Sequence, residues 1–261
     1  MDNKIEIGII MATHNGKNRI IDAIESIKAQ SYTRWKFIIC DDGSSDGSYE
    51  LLVERYSMDE RFVIIKNDRN IGLAASLNKC LNFCRDFKYI ARMDDDDISY
   101  PDRLEKQKNF LDNHLNVSFV SSSVDIYNGR EIVERRILKE FPKKKELVWN
   151  SPFVHPATMF RAQDLYSVNG YRVAEETRRG QDYDLFMRMY GHGLIGANLV
   201  EPVYLYTENE NTVKRRTFKA RVGEYKIRKN GYKSMHVMWW AFPFLLKPFI
   251  AYMKDIVSKS H

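Results

Sequence analysis

The chain has 261 residues, of which 44% are hydrophobic and 13% aromatic. That is ample material for one core near the upper size of a single domain, and it excludes disorder over most of the length. The net charge of +6 is uneven: from Lys214 onward 12 basic residues face only Glu224 and Asp255, whereas the first 213 residues carry 29 basic and 33 acidic side chains. A near-neutral body, 1–213, is therefore expected to precede a basic, partly apolar extension, 214–261. Cys40, Cys80 and Cys84 have no metal-ligand spacing and read as small buried residues in a reducing compartment. The opening MDNKIEIGIIMATHN lacks the pattern of a secretory leader.

In chain order, EIGIIMATHN reads as a strand ending in polar THN, and Ile20, Ile21, Ile24 and Ile27 repeat at helical spacing after it. WKFIICDDGSSDGS is a second strand running into acidic turn chemistry, with a helix at YELLVERYS. RFVIIKNDRN and GLAASLNKCLNFC give a third strand and helix, and KYIARM is a fourth strand ending at Asp94, Asp95, Asp96 and Asp97. The next helix, PDRLEKQKNFLDNH, has proline in its first turn, and Asp97 is expected to assist that helix start by its negative charge. Further on, REIVERRILKEF and SPFVHPATMFRA read as strands, KKKELVWNS as a short helix, and GQDYDLFMRMYGHG as an amphipathic helix with Leu185, Phe186 and Met189 inward. ANLVEPVYLY reads as a single last strand.

Alternating short apolar strands and helices predict an α/β fold with a Rossmann-like, mostly parallel sheet flanked by helices. Ligands of such sheets sit beyond the carboxyl ends of the strands, where THN, DDGSSD, NDRN and DDDD all fall. Four adjacent carboxylates repel one another unless positive charge or water compensates them. A divalent cation with oxygen ligands, Mg²⁺ or Mn²⁺, supplies that compensation, and in an extended segment Asp94 and Asp96 share a side. No GxGxxG or GxxxxGK[ST] follows the first strand, so a dinucleotide site or P-loop is not expected. A nucleotide would instead be held by base and ribose contacts from THN and DDGSSD, with Asp42 placed to accept from a base N–H.

Taken together, MATHNGKNRIIDAIESIKAQSY, FIICDDGSSDGS, NIGLAASLN, YIARMDDDDISYPDRLEKQ and GQDYDLFMRM resemble, in order and spacing, the family 2 inverting glycosyltransferases of GT-A fold over roughly residues 5–210. The resemblance implies a nucleotide-sugar donor, UDP-sugar ahead of GDP or dTDP, and Mn²⁺ or Mg²⁺. It also implies a hydroxyl acceptor on a glycan or lipid-linked molecule, as in bacterial surface polysaccharide synthesis. Carried over by position, it places Thr13, His14 and Asn15 at the nucleoside, Asp42 at the base, Asp95 at the ribose, Asp94 and Asp96 at the metal, and Asp182 as catalytic base. Where the family often has Glu before that aspartate, this chain has Gln181. Where it often has a late metal-site histidine, this chain reads YLYTENENTVKRRT, leaving Glu208, Glu210 or no third ligand as alternatives. Arg215 and Arg216 read either as diphosphate contacts or as a solvated basic run. His155 reads equally as an acceptor-side or a packed histidine, and Trp149, Tyr171 and Tyr183 as core residues rather than sugar platforms.

In the extension, MHVMWWAFPFLL is too short to span a bilayer. Its tryptophans and flanking basic residues fit a peripheral position at the inner face of the cell membrane, ahead of a helical hairpin docked on the body or on a partner. Two other classes compete for these features. A metal-dependent phosphatase or nucleotidyltransferase would use the same aspartates, but the run comes late and continues ISYP rather than DxDxT. A nucleic-acid-binding protein would use the basic tail, which leaves DDGSSD and QDYD without a purpose, so no nucleic-acid partner is expected.

Overall fold

The computed structural model describes residues 4–208 and 217–257, with side chains to residue 253. Its main sheet has seven strands in the order β10-β6-β9-β4-β1-β2-β3. In chain order these are β1 (Ile7–Thr13), β2 (Trp35–Asp41), β3 (Phe62–Lys66), β4 (Tyr89–Arg92), β6 (Phe119–Ser122), β9 (Met159–Arg161) and β10 (Gly196–Leu199). All pairings are parallel except those of β9, which runs antiparallel to both β4 and β6. A second sheet, β5-β11-β7-β8, is built from β5 (Ile98–Ser99), β7 (Val124–Tyr127), β8 (Ile132–Arg136) and β11 (Tyr204–Thr207). The α/β, mostly parallel expectation is met.

Side chains alternate across each strand, and here both faces are dry. Ile7, Ile9 and Met11 of β1 join Trp35, Phe37 and Ile39 of β2 under α1 (Ile20–Lys28), α2 (Ser48–Tyr56) and α4 (Arg103–Asn113). On the other face Ile10, Ile38, Cys40 and Ile90 meet α3 (Leu73–Leu81), α5 (Lys144–Trp149), α6 (Ala162–Ser167) and α7 (Gln181–Gly191). Leu185, Phe186 and Met189 of α7 are fully buried as expected, and all three cysteines are buried and free.

Two elements differ from the reading of the sequence. ANLVEPVYLY is not one strand: it breaks around Pro202 into β10, which extends the main sheet, and β11, which enters the small one. Asp97 does not start a helix, because β5 intervenes and α4 begins only at Arg103, with Asp102 before it. Asp97 is buried instead.

The basic extension folds back onto the body. Helix α8 (Phe218–Ser234) is followed by α9 (Met238–Ala241) and α10 (Lys247–Val257), and Ile227, Tyr232, Met235, Val237, Ala241 and Leu245 belong to the same buried cluster as Leu185 and Phe186. The carbonyls that end α5 are satisfied from two helices: Arg228 and Tyr232 of α8 both donate to Val148 O at 2.8 Å, and Tyr183 of α7 donates to Leu147 O at 2.5 Å. A Cβ at Gly231 would lie 2.0 Å from Met187 Sδ and 2.8 Å from its Cβ. Gly231→Ala is expected to destabilise the fold by about 1–3 kcal/mol from overpacking, despite the roughly 1 kcal/mol gain in helix propensity. A denaturant midpoint equal to or above the parent's would contradict this.

Candidate active site

A cavity of about 760 Å³ opens at the carboxyl ends of β1 and β4, lined by His14, Arg19, Asp94, Asp95 and Asp96 among others. That is within the usual range for a small-molecule site. A neighbouring cavity of about 440 Å³ shares Ala12, His14 and Leu73 with it and continues past Thr13, Asp42 and Asn70 to Arg178, Arg179, Gly180 and Gln181. The polar strand ends THN, DDGSSD, NDRN and DDDD thus converge on one cleft, as the parallel topology requires.

The loop after β1 is held by the loop after β2. Asn15 takes a left-handed backbone (φ 53°), its N–H donates to Ser44 Oγ at 2.9 Å, and its Oδ1 accepts from Ser45 N–H at 2.9 Å. His14 Nδ1 lies 3.0 Å from Asp42 O. Gly16 passes so close to the aspartates that an added Cβ would fall 2.5 Å from Asp95 Oδ2, so no larger residue fits that approach.

The carboxylates have separate tasks. Asp42 Oδ1 accepts from Asn67 Nδ2 at 2.9 Å and from Ile71 N–H at 2.8 Å, and its Oδ2 accepts from Gly72 N–H at 2.9 Å. It therefore fixes the loop before α3 on the wall of the cleft. Asp95 accepts from Thr13 Oγ1 at 2.5 Å and is bidentate with Arg19, at 3.1 Å to Nε and 3.0 Å to NH2. Asp94 accepts from Arg92 NH2, and Arg92 is fully buried beneath the cluster. Reading the sequence alone missed Arg19 and Arg92. Arg92 had a visible signal: an arginine inside an otherwise apolar strand, two residues before the first carboxylate.

Asp96 and Asp97 have no such cation beside them among the described residues. Burial pushes the Asp96 carboxyl up to about 6, with Asp94 and Asp95 adding to the rise. Burial also raises Asp94, against the pull of Arg92, and raises Asp97 well above the usual carboxylate range. Asp97 Oδ1 accepts from Thr207 N–H at 2.7 Å, whereas its Oδ2 is buried without a partner. One oxygen from each of Asp94, Asp96 and Asp97 lies within 4.8 Å of the others. An orphaned buried carboxylate oxygen beside two more carboxylates fits a hard divalent cation with oxygen ligands.

Asp182 lies in the first turn of α7, behind Gly180 at φ 136°. It is partly buried, and burial raises its carboxyl, with the charge on Asp94 adding to the rise and Arg92 opposing it. Gln181 Oε1 accepts from Gly180 N–H at 3.1 Å, a structural contact at the position where the family often has Glu. Asp184 is bound by Arg172 and Arg188 and braces the helix. His155 is packed: its Nε2 lies 2.8 Å from Tyr171 Oη, and burial holds its basicity well below that of free imidazole. Tyr171 and Tyr183 are core residues, but Trp149 is 59% exposed and lies edge-on to Phe244 with Lys247 Nζ 4.0 Å from its ring centre. Glu208 pairs with Arg136 at 3.0 Å rather than joining the aspartates; Glu210, Arg215 and Arg216 lie outside the described residues.

A mostly parallel sheet with an acidic, nucleotide-sized cleft at its carboxyl edge is the architecture of the GT-A fold. The sequence model described as glycosyl transferase family 2 matches residues 8–168, so the chain belongs to that family. It is 33% identical over 265 residues to EpsE of Bacillus subtilis (strain 168), which carries a provisional glycosyltransferase name; the match covers all of this chain and 94% of that one. It is 25% identical over 251 residues, covering 92% of this chain and 88% of the other, to the Escherichia coli UDP-Gal:alpha-D-GlcNAc-diphosphoundecaprenol beta-1,3-galactosyltransferase. Among solved structures, S. aureus TarS 1-349 in complex with UDP-GlcNAc aligns with a TM-score of 0.70 at 15% identity, over 88% of this chain and 70% of that one. The mannosyltransferase PcManGT from Pyrobaculum calidifontis, in complex with GDP-Man and Mn²⁺, aligns with a TM-score of 0.65 at 15% identity, over 95% and 75%.

Proposed function

We propose that this glycosyltransferase moves a sugar, with inversion, from a UDP-sugar to a hydroxyl of a glycan or lipid-linked acceptor in surface polysaccharide synthesis, with Mn²⁺ or Mg²⁺ as cofactor. The observation that carries this reading is the convergence of Thr13, His14, Asp42, Asp94, Asp95 and Asp96 on two adjoining cavities, the second of which reaches Gly180 and Gln181 at the start of the helix that carries Asp182. The E. coli relative, named for a UDP-Gal donor and a diphosphoundecaprenol-linked acceptor, supports the donor and acceptor classes. PcManGT, solved with GDP-Man and Mn²⁺, supports the metal but not the base.

In this reading the nucleoside lies along Thr13, His14 and Asn15, and Asp42 meets the base with what acceptor capacity its loop contacts leave free. Asp95, held by Arg19 and Thr13, faces the ribose. Asp94 and Asp96 would hold the cation, which when bound would supply Lewis-acid stabilisation of the charge on the departing diphosphate. Asp182 takes the proton of the acceptor hydroxyl as that oxygen attacks the anomeric carbon; a single displacement of this kind inverts configuration.

No helix among the described residues is long and apolar enough to cross a membrane. The exposed Trp239 (85%), Phe242 (65%) and Leu246 (56%), on an extension rich in lysine and arginine, support a peripheral position on the anionic inner face of the cell membrane.

The test is a panel of UDP-, GDP- and dTDP-sugars, each measured for hydrolysis and for thermal stabilisation with and without Mn²⁺. At least one UDP-sugar is expected to stabilise the protein in a metal-dependent way. A protein that no nucleotide sugar stabilises, yet that cleaves phosphate esters, is instead a phosphatase.

A further inference from the structure

We propose that Asp97 is a direct ligand of the divalent cation, binding through its free oxygen while its other oxygen stays on the backbone of β11. This rests on the metal-dependent reading above and adds to it a third carboxylate and a mechanical link.

The cluster is not uniform. Asp95 is neutralised by Arg19, and Asp94 by Arg92. Asp97 is 1% exposed, with one oxygen on Thr207 N–H at 2.7 Å and the other buried and unpartnered. A carboxylate left in this way destabilises a fold unless a cation or a proton joins it. The three ligand oxygens of Asp94, Asp96 and Asp97 already lie within 4.8 Å of one another. In octahedral Mg²⁺ coordination, trans oxygens lie about 4.2 Å apart and cis oxygens about 3 Å, so three oxygens this near one another can converge on one ion by side-chain adjustment.

Asp97 also answers the missing late histidine. Glu208, next along from Thr207, is engaged by Arg136, and the side chain that β11 brings to the cluster is the Tyr204 hydroxyl, 3.4 Å from Asp94 N, rather than a carboxylate or an imidazole. The strand also contributes through its backbone: the Thr207 amide orients Asp97. Tyr206 and Thr207 line the large cavity, so a cation on Asp97 stiffens the wall against which the donor lies.

The experiment compares the full-length protein with Asp97→Asn, using Mn²⁺ alone as the probe. Mn²⁺ affinity is read by electron paramagnetic resonance, thermal midpoint with and without Mn²⁺, and amide exchange of the peptide covering 204–208. The substitution is expected to weaken Mn²⁺ binding by about tenfold or more. It should also leave the metal-free midpoint unchanged or raised, because it removes one of three crowded carboxylates. In the parent protein Mn²⁺ should increase amide protection over 204–208. Unchanged Mn²⁺ affinity in Asp97→Asn overturns the assignment while leaving metal dependence intact; absence of Mn²⁺ binding by the parent overturns both. Should the variant fail to fold, the exchange measurement on the parent decides: no added protection at 204–208 with Mn²⁺ bound refutes the link.

Discussion

Asp182→Asn is expected to lower kcat by about 10²–10⁴-fold, the usual contribution of a positioned general base, while leaving donor affinity within a few-fold of the parent's. The amide keeps the shape of the carboxylate at the start of α7 but cannot accept the acceptor's proton. Only the ionised carboxylate works as a base, so activity falls as pH drops through its pKa, and burial places that pKa above the ordinary carboxylate range. Asp96, pushed up to about 6, titrates on the same acid limb and weakens cation binding there. The parent should therefore lose kcat/KM below about pH 6. Residual activity of the variant should keep only the part of that limb that added Mn²⁺ shifts. Loss of donor binding in Asp182→Asn, with activity restored at high donor concentration, would remove Asp182 from the base role.

Arg92→Met is expected to be the most destabilising single change in the cleft, by about 3 kcal/mol near neutral pH. The guanidinium is fully buried, donates to Met93 O and Asp94, and is the positive charge under the aspartates. Methionine fills much of the volume but leaves the carboxylates without a counter-charge. The figure is at the low end for a broken buried pair because Asp94 is 31% exposed and water reaches it. The pH dependence has a definite sign. Carboxyls with raised folded pKa values bind more protons folded than unfolded, so stability falls as pH rises from the ordinary carboxylate range to about 6 and above. Without Arg92 those values rise further, so the deficit should shrink at pH 5. Equal denaturant midpoints for parent and variant at pH 7.5 would show that the aspartates do not need this cation.

Much of the body was legible because its signals are local. Strand–helix alternation, polar strand ends and the spacing of Leu185, Phe186 and Met189 each report a nearby structural constraint. What stayed hidden depends on the chain meeting itself at a distance. Nothing local distinguishes β9, antiparallel between β4 and β6, from a parallel strand, and β5, at two residues, has too little pattern to register. The unequal aspartates show the same limit. Their differences come from Arg19 on α1's threshold, Arg92 at the end of β4, and the amide of Thr207, over a hundred positions away. Asp97 could be read as a helix start only while β5 was invisible.

The extension was marked by composition, not by packing, and the two disagree about where the catalytic unit ends. The match to the family stops at residue 168, before Asp182, and α8 braces the turn and helix that carry this aspartate. Trimming the chain at 213, an inviting place for an expression boundary, would strip Arg228 and Tyr232 from the end of α5 and bare Met187. The two sides of the extension thus obey different rules under variation. Changes at Arg228 or Gly231, or at Gly223, where an added Cβ would fall 2.9 Å from Glu176 O, register as lost rigidity behind the helix that carries Asp182. Changes at Trp239, Phe242 or Leu246, which are exposed, leave that brace untouched. The extension therefore joins a buried face that cannot vary without loosening α7 to an outer face that can.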